Sequence, residues 1–74
     1  MSEILAETIS VKVNGEVRSV PPGLSIASLL DRIGIDRSKV AVERNLEIVP
    51  RSTLAEVRVE DGDSFEIVHF VGGG

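Results

Sequence analysis

The 74-residue sequence contains no cysteine, no tryptophan and no tyrosine. Without cysteine the chain can form neither a disulfide nor a thiolate metal site. The aromatic residues are limited to Phe65 and Phe70, so platforms for stacking nucleobases or sugars are missing. The single histidine, His69, cannot build a metal centre alone. We therefore expect no metal site and no resident cofactor.

Positive charge is also scarce. Eight Lys and Arg residues stand against twelve Asp and Glu residues, which gives a net charge of −4, and the basic residues are scattered. Such a chain is a poor ligand for nucleic acid or for an anionic membrane. No segment approaches the ~20 apolar residues of a membrane span, and Met1 to Glu3 lack the basic region of a signal peptide. We expect a cytoplasmic protein.

The length of the chain allows a single domain, residues 1–74, with little surplus stability. Its hydrophobic content of 42% is sufficient for a compact core. A domain this small has no room for a deep active site. Residues 1–7 show no clear period and form either a mobile lead or an extension of the first strand.

A β-hairpin is predicted near the start of the chain. Residues 8–13 alternate between polar and apolar side chains, which indicates a half-buried strand. Asn14-Gly15 follows, the dipeptide best suited to the positive φ angles of a tight turn. A two-residue loop would place Val13 opposite Glu16, whereas one extra loop residue would place it opposite Val17. Because the second arrangement matches apolar residues, we predict a bulged hairpin.

One amphipathic helix is predicted from Leu24 to Gly34. Its apolar residues recur at helical spacing and form a single stripe, which comprises Ile26, Leu29, Leu30 and Ile33. Ser25 is a typical N-cap residue, and Gly34 suits the left-handed position after a helix. A lone helix of this length is marginal in water, so we expect its stripe to pack on a sheet.

Two short strands and an ambiguous segment follow the helix. Val40 to Arg44 alternates as a strand does, and Glu47 to Val49 is a second strand that Pro50 ends. Proline has no N–H to donate, which marks this second piece as an edge strand. Residues 51–60 combine features of a helical turn and of a strand. Asp61-Gly62-Asp63 predicts a turn rather than a metal site, which would need more oxygen ligands.

The last predicted strand has two apolar faces. Phe65 and Ile67 share one face, whereas Val68 and Phe70 share the other. Because a single helix covers one face of a sheet, we expect Val68 and Phe70 to remain exposed. We expect these two residues and the following Val71 to contact a partner. The alternative is that they cover a neighbouring loop.

Three glycines, Gly72, Gly73 and Gly74, follow this strand and form a flexible tail without Cβ atoms. One interpretation is a frayed chain end. The other is a working tail that enters a slot too narrow for any other residue, with the Gly74 carboxylate as its reactive group. His69 invites a role as a general base, but its parity with Ile67 favours a structural or surface histidine.

Three segments together resemble the bacterial ThiS sulfur carriers of thiamine biosynthesis. They are Val13-Asn14-Gly15-Glu16 with the following Val-Pro turn, the stretch from Val40-Ala41-Val42-Glu43-Arg44-Asn45 to Ile48-Val49-Pro50-Arg51, and the stretch from Asp61-Gly62-Asp63 to Gly72-Gly73-Gly74. The likeness spans residues 8–74. It implies an α+β fold of the β-grasp, or ubiquitin-like, type, with a mixed four- to five-stranded sheet and one main helix packed on one face.

The resemblance also implies a chemistry for the tail. A ThiF-like adenylyltransferase uses ATP to activate the terminal carboxylate, here that of Gly74, and sulfur from a persulfide, such as that of a cysteine desulfurase, converts it to a thiocarboxylate. This group donates sulfur to a ThiG-like thiazole synthase. Gly72 and Gly73 would thread the tail into the partner, while Arg44, Arg51 and Glu66 are candidate docking charges. The chain is then a monomeric co-substrate and not an enzyme, and we expect it to contain no catalytic residues because the partner enzymes supply the catalysis.

Three other functions remain open. The small subunit of molybdopterin synthase shares the fold and the thiocarboxylate, but it usually reaches its glycines through a proline-containing segment, and residues 68–71 contain no proline. A ubiquitin-like modifier would form an isopeptide bond with a lysine through its terminal carboxyl group. A plain binding module would leave the tail idle.

Overall fold

The computed structural model describes residues 7–71 of the chain. The predicted lead, except for Glu7, and the predicted tail, Gly72 to Gly74, lie outside the described residues. Within the described part of the chain, no helix is long and apolar enough to cross a membrane.

The alternating residues at the start form a hairpin of two antiparallel strands, β1 (Ile9–Val13) and β2 (Glu16–Val20). Asn14 and Gly15 connect the strands with φ angles of 51° and 84°. Positive φ at both central residues is the requirement of a two-residue type I′ turn. The Asn-Gly dipeptide therefore fixes a tight turn, as the sequence predicts.

The predicted bulge in this hairpin is wrong. Val13 pairs with Glu16, and Val17 lies on the opposite face of the sheet, where its side chain is 61% exposed. Val20, which the bulged register would leave out of phase, pairs with Ile9 and is buried. The preference of Asn14-Gly15 for a two-residue turn outweighs the pairing of Val13 with Val17. The register that this turn sets still buries Val20 at the other end of β2.

The predicted helix is present and two residues shorter at each end, as α1 (Ile26–Arg32). The Ser25 hydroxyl accepts a hydrogen bond from the N–H of Ser28 at 3.0 Å, which confirms the N-cap. Gly34 has a φ of 82°, as the left-handed position after a helix requires. In the apolar stripe, Ile26, Leu29 and Leu30 are buried and Ile33 is partly buried, with Leu29 fully inaccessible to solvent.

Three further strands complete one five-stranded sheet, namely β3 (Val40–Arg44), β4 (Glu47–Val49) and β5 (Ser64–His69). The spatial order is β2-β1-β5-β3-β4, with β5 parallel to β1 and antiparallel to β3. The strand that comes last in sequence thus lies in the middle of the sheet. β4 lies at the edge, as Pro50 predicts.

The segment that the sequence leaves ambiguous is a short 3-10 turn (Arg51–Thr53) followed by irregular chain. It buries Leu54 and Val59, and Arg58 forms an isolated antiparallel bridge with Ser25. A second 3-10 turn (Arg37–Lys39) connects the end of the helical region to β3. The segment after β4 therefore covers part of the core through Leu54 and Val59, whereas the turn Arg37–Lys39 is an exposed connection.

The core lies between α1 and one face of the sheet. The buried hydrophobic residues are Val11, Val13, Val20, Ile26, Ala27, Leu29, Leu30, Val40, Val42, Leu54, Val59, Phe65 and Ile67. The other face of the sheet, which we call the open face, includes the exposed side chains of Val17, Ile48 and Val68. This arrangement confirms a mixed sheet with one main helix on one face.

Candidate functional site

The predicted tail, Gly72 to Gly74, lies outside the described residues, so the site can be followed as far as Val71. The Val71 side chain is 98% exposed. We use the term tail root for the surface formed by Val68, Phe70, Val71 and Arg51, from which the tail continues. The predicted exposure of Val68 and Phe70 is confirmed, whereas the docking role of Val68, Phe70 and Val71 stays a prediction.

Phe70 is held at the end of β5 by two neighbouring segments. Its N–H donates to the carbonyl oxygen of Lys39 at 3.0 Å. The central guanidinium carbon of Arg51 lies 5.3 Å from the centroid of the Phe70 ring, within cation–π range. Arg51 Nη2 also donates to the carbonyl oxygen of Val40 at 3.4 Å. The Phe70 ring thus contacts Arg51 of the neighbouring loop, in line with the alternative prediction that these side chains cover a loop. The Phe70 side chain nevertheless remains 53% exposed.

Val68 projects from the open face and is 61% exposed. Its register partner on β3 is the small residue Ala41, so neighbouring side chains leave it accessible. In the same pairing of β3 with β5, two residues away from Ala41 and Val68, Glu43 lies directly opposite Glu66. Like charges in this position disfavour pairing of the strands. The arrangement offers an apolar patch beside carboxylates, which fits a partner surface with apolar and basic side chains.

The three candidate docking charges have different environments. Arg44 Nε lies 2.9 Å from Asp63 Oδ2, so this guanidinium is engaged within the domain. Arg51 belongs to the tail root, and Glu66 is exposed on the open face. Arg44 therefore has a structural contact within the domain, and the docking role of all three residues stays a prediction.

Asp63 is the buried member of the predicted turn before β5, with 6% of its surface exposed. Its carboxylate accepts hydrogen bonds from the N–H of Glu60 at 2.8 Å, from Asn45 Nδ2 at 3.0 Å and from Arg44 Nε at 2.9 Å. Burial opposes ionisation and is the largest single influence on the pKa of Asp63, but these hydrogen bonds and the Arg44 charge together outweigh it. The pKa of Asp63 is consequently lowered. The prediction of turn chemistry is confirmed.

Two asparagines hold β5 from its two sides, and the sequence alone predicts neither of these contacts. Asn14 Oδ1 accepts from the N–H of Ile67 at 2.7 Å, and Asn14 Nδ2 donates to the Ile67 carbonyl at 3.2 Å. On the β3 side, Asn45 Oδ1 accepts from the N–H of Ser64 at 2.9 Å. Both asparagines have positive φ angles, 51° and 52°. Their residue type signals a turn, but nothing local signals a contact with a distant strand.

His69 lies at the end of β5 on the same face as Phe65 and Ile67, as its parity predicts, and its side chain is exposed. Within residues 7–71, its imidazole makes no hydrogen bond or ion pair that would orient it for catalysis. The same described residues contain no group of three His, Cys, Asp or Glu side chains that could hold a metal ion. These surroundings agree with a surface histidine.

Comparison with known proteins gives matches over most of the chain. Residues 11–74 match the model of the ThiS family. Over 50 residues the chain is 46% identical to the sulfur carrier protein ThiS of Bacillus subtilis, which covers 68% of this chain and 76% of that relative. Over 62 residues it is 55% identical to a thiazole synthase of Paramagnetospirillum magneticum, which covers 84% of this chain and 19% of that relative. The chain spans about a fifth of the length of the thiazole synthases that it matches.

A solved structure shows the same architecture. The crystal structure of the thiamine biosynthesis protein ThiS from Geobacter metallireducens superposes with a TM-score of 0.77 at 32% sequence identity. The alignment covers 89% of this chain and 100% of that chain. This similarity confirms the predicted β-grasp fold.

Proposed function

The chain belongs to the ThiS family, the sulfur carriers of thiamine biosynthesis, and we propose that it carries sulfur as a thiocarboxylate on Gly74. The match to the family model over residues 11–74 supports this proposal most strongly, because it includes the glycine tail. In this role the domain is a protein co-substrate, and the enzymes that bind it supply the catalytic groups.

The proposed chemistry begins with the terminal α-carboxyl group. Its pKa is ordinarily about 3.5, so it is ionised at neutral pH and can attack the α-phosphorus of ATP. An adenylyltransferase would release pyrophosphate and form an acyl-adenylate, which converts a poor electrophile into one with AMP as a good leaving group. The terminal sulfur of a persulfide then attacks the carbonyl carbon and displaces AMP. A thiol cleaves the resulting S–S bond and leaves the thiocarboxylate.

The composition of the chain supports the terminus as the place of the sulfur. The sequence contains no cysteine, so no side chain can carry a persulfide. Gly72 and Gly73 add no Cβ atoms that would widen the tail in a narrow channel. The proposal requires Gly74 to be the last residue of the mature chain.

We further propose thiazole synthase as the enzyme that receives the sulfur. The thiazole synthase of P. magneticum contains a segment 55% identical to this chain over 62 residues. A segment of this kind within a thiazole synthase supports a working relation between the two parts. The adenylyltransferase and the persulfide donor complete the proposed set of partners.

The tail root is the proposed docking surface for these enzymes. Val68, Phe70 and Val71 expose apolar surface directly before the tail, and Arg51 adds a positive charge beside Phe70. Exposed apolar groups next to a reactive chain end are suited to partner contact. Contact at this surface would bring the tail to the active site of the enzyme.

Replacement of Gly73 by Val tests the proposed function. The β-branched side chain would clash with a channel built for glycine, so ATP–pyrophosphate exchange by the adenylyltransferase should fall by at least about a hundredfold. The folded domain should be unaffected, because Gly73 follows the last strand, and circular dichroism and thermal unfolding check this. Exchange at the wild-type rate by a folded Gly73→Val variant would contradict the threading of the tail.

A further inference from the structure

The backbone of β5 is hydrogen-bonded over a shorter length on its β1 side than on its β3 side. On the side of β1, the last register pair joins Val13 to Phe65. Asn14 then turns into the hairpin, and its carboxamide replaces a strand residue by bonding both the N–H and the C=O of Ile67, at 2.7 and 3.2 Å. The pairing of β5 on the β1 side therefore ends at Ile67.

His69 is the next residue whose backbone faces this side. Its register partner on β3 is Val40, and the N–H of Phe70 donates to the carbonyl oxygen of Lys39. In an antiparallel ladder, this pattern makes Val40 and His69 a non-hydrogen-bonded pair, so the N–H and C=O of His69 point away from β3. Among residues 7–71, no donor or acceptor is bonded to either group.

We call the β1 side of the chain from His69 to Val71 the open edge. Natural proteins usually protect such an edge with proline, lysine or a covering segment. Residues 68–71 contain neither proline nor lysine, and the Val71 side chain is 98% exposed. An unprotected edge of this kind can accept a strand from another protein.

The spacing between the open edge and Gly74 indicates which protein that is. Gly74, whose carboxylate is the reactive group in the proposed function, lies three residues after Val71, and three residues span at most about 11 Å when fully extended. An enzyme that acts on the Gly74 carboxylate must therefore approach the open edge closely. Adenylation is the first step of the proposed chemistry and needs the carboxylate in line with the α-phosphorus of ATP.

Building on the proposed function, we propose that an extended main-chain segment of the adenylyltransferase adds to the open edge as a further β-strand. Its backbone would bond the N–H and C=O of His69 and continue the row of hydrogen bonds that ends at the Asn14 carboxamide. Strand addition of this kind gives affinity through main-chain hydrogen bonds. It would also hold the start of the tail in an extended conformation that points toward ATP.

Replacement of His69 by Pro tests this proposal. Proline removes the His69 N–H, which no group among residues 7–71 accepts, and places its ring on the open edge, while the φ angle that it requires is compatible with an edge strand. The apparent KM for the carrier in ATP–pyrophosphate exchange should rise at least about tenfold, the loss expected for a main-chain hydrogen bond and a steric obstacle. His69→Ala is the matched control, because it keeps the N–H and should change the KM less than about twofold.

A second variant separates binding from folding. Val71→Pro lies beyond β5, so it cannot disturb the sheet, and it should raise the KM in the same direction as His69→Pro. If wild-type protein itself supports no exchange, the proposed function fails. If wild-type protein supports exchange and both proline variants match it, the strand addition is overturned while the function stands. An equal rise in the KM of His69→Pro and His69→Ala would also overturn it. The same holds if the two proline variants support normal exchange but no longer transfer sulfur to thiazole synthase.

Discussion

Asp63 fixes the turn from which β5 begins. Its carboxylate joins Arg44 of β3, Asn45 of the following turn and the backbone of Glu60. Removal of the carboxylate would leave a half-buried guanidinium and a backbone N–H without partners. Because such groups are costly to leave unpaired, Asp63→Ala should lower the free energy of unfolding by about 2–4 kcal/mol.

The lowered pKa of Asp63 predicts a stability that depends on pH in the acid range. The unfolded chain protonates this carboxyl group near its ordinary pKa of 3.8, whereas the folded protein protonates it at lower pH. Between these two values the unfolded state binds more protons, so the free energy of unfolding falls as the pH falls. Above the ordinary pKa the contribution is fully present. Asp63→Asn should therefore flatten this part of the profile.

Urea unfolding at a series of pH values between about 6 and about 2.5 measures this contribution of Asp63. Asp36 provides a control, because side-chain and backbone hydrogen bonds from Ser38 also lower its pKa while its surroundings are exposed. Asp36→Asn should change the profile less than Asp63→Asn does. Identical acid profiles for wild type and Asp63→Asn would show that the buried network does not stabilise the ionised carboxylate.

At the scale of the elements, the open face of the sheet offers a matched pair of valines. Val17 on β2 and Val68 on β5 are each 61% exposed, but only Val68 belongs to the tail root. Replacement of either by Ser should change the free energy of unfolding by less than about 0.5 kcal/mol. Val68→Ser should raise the KM of the carrier in the exchange assay about three- to tenfold, the effect of trimming a contact residue of an interface. Equal effects of the two variants would argue against docking at the tail root.

Several elements follow directly from the sequence because neighbouring residues determine them. Alternation and Pro50 predict Val40–Arg44 and Glu47–Val49 with the bounds that the structure shows. The apolar stripe and Ser25 likewise predict α1 and its N-cap. In these segments the local period, the cap and the burial of one face all favour the same structure.

The hairpin register and the asparagine contacts show where local reasoning fails. At the hairpin, the preference of Asn14-Gly15 for a tight turn competes with the apolar match of Val13 and Val17, and the pattern alone does not rank the two. The contact between Asn14 and Ile67 joins residues 53 positions apart. A turn residue that also completes a distant strand pairing becomes visible only once the sheet is assembled.

At the scale of the whole molecule, the order β2-β1-β5-β3-β4 places the last strand in the centre of the sheet. β5 is bound on one side by β1 and Asn14 and on the other by β3, and its Phe65 side chain is fully buried. The chain that leaves this strand is thus attached to the central strand of the sheet. This architecture suits a carrier, because a partner that binds the domain also fixes the start of the tail.

The central claim is that the carboxyl group of Gly74 is where this chain carries sulfur. Intact-mass measurement after incubation with the adenylyltransferase, ATP, a persulfide donor and a thiol tests it, with fragmentation to locate the change. The account predicts a mass gain equal to the replacement of one oxygen by sulfur, confined to Gly74 and absent without ATP or when Gly74 is blocked as an amide. An unchanged mass under these conditions, or sulfur located at any other residue, would contradict it.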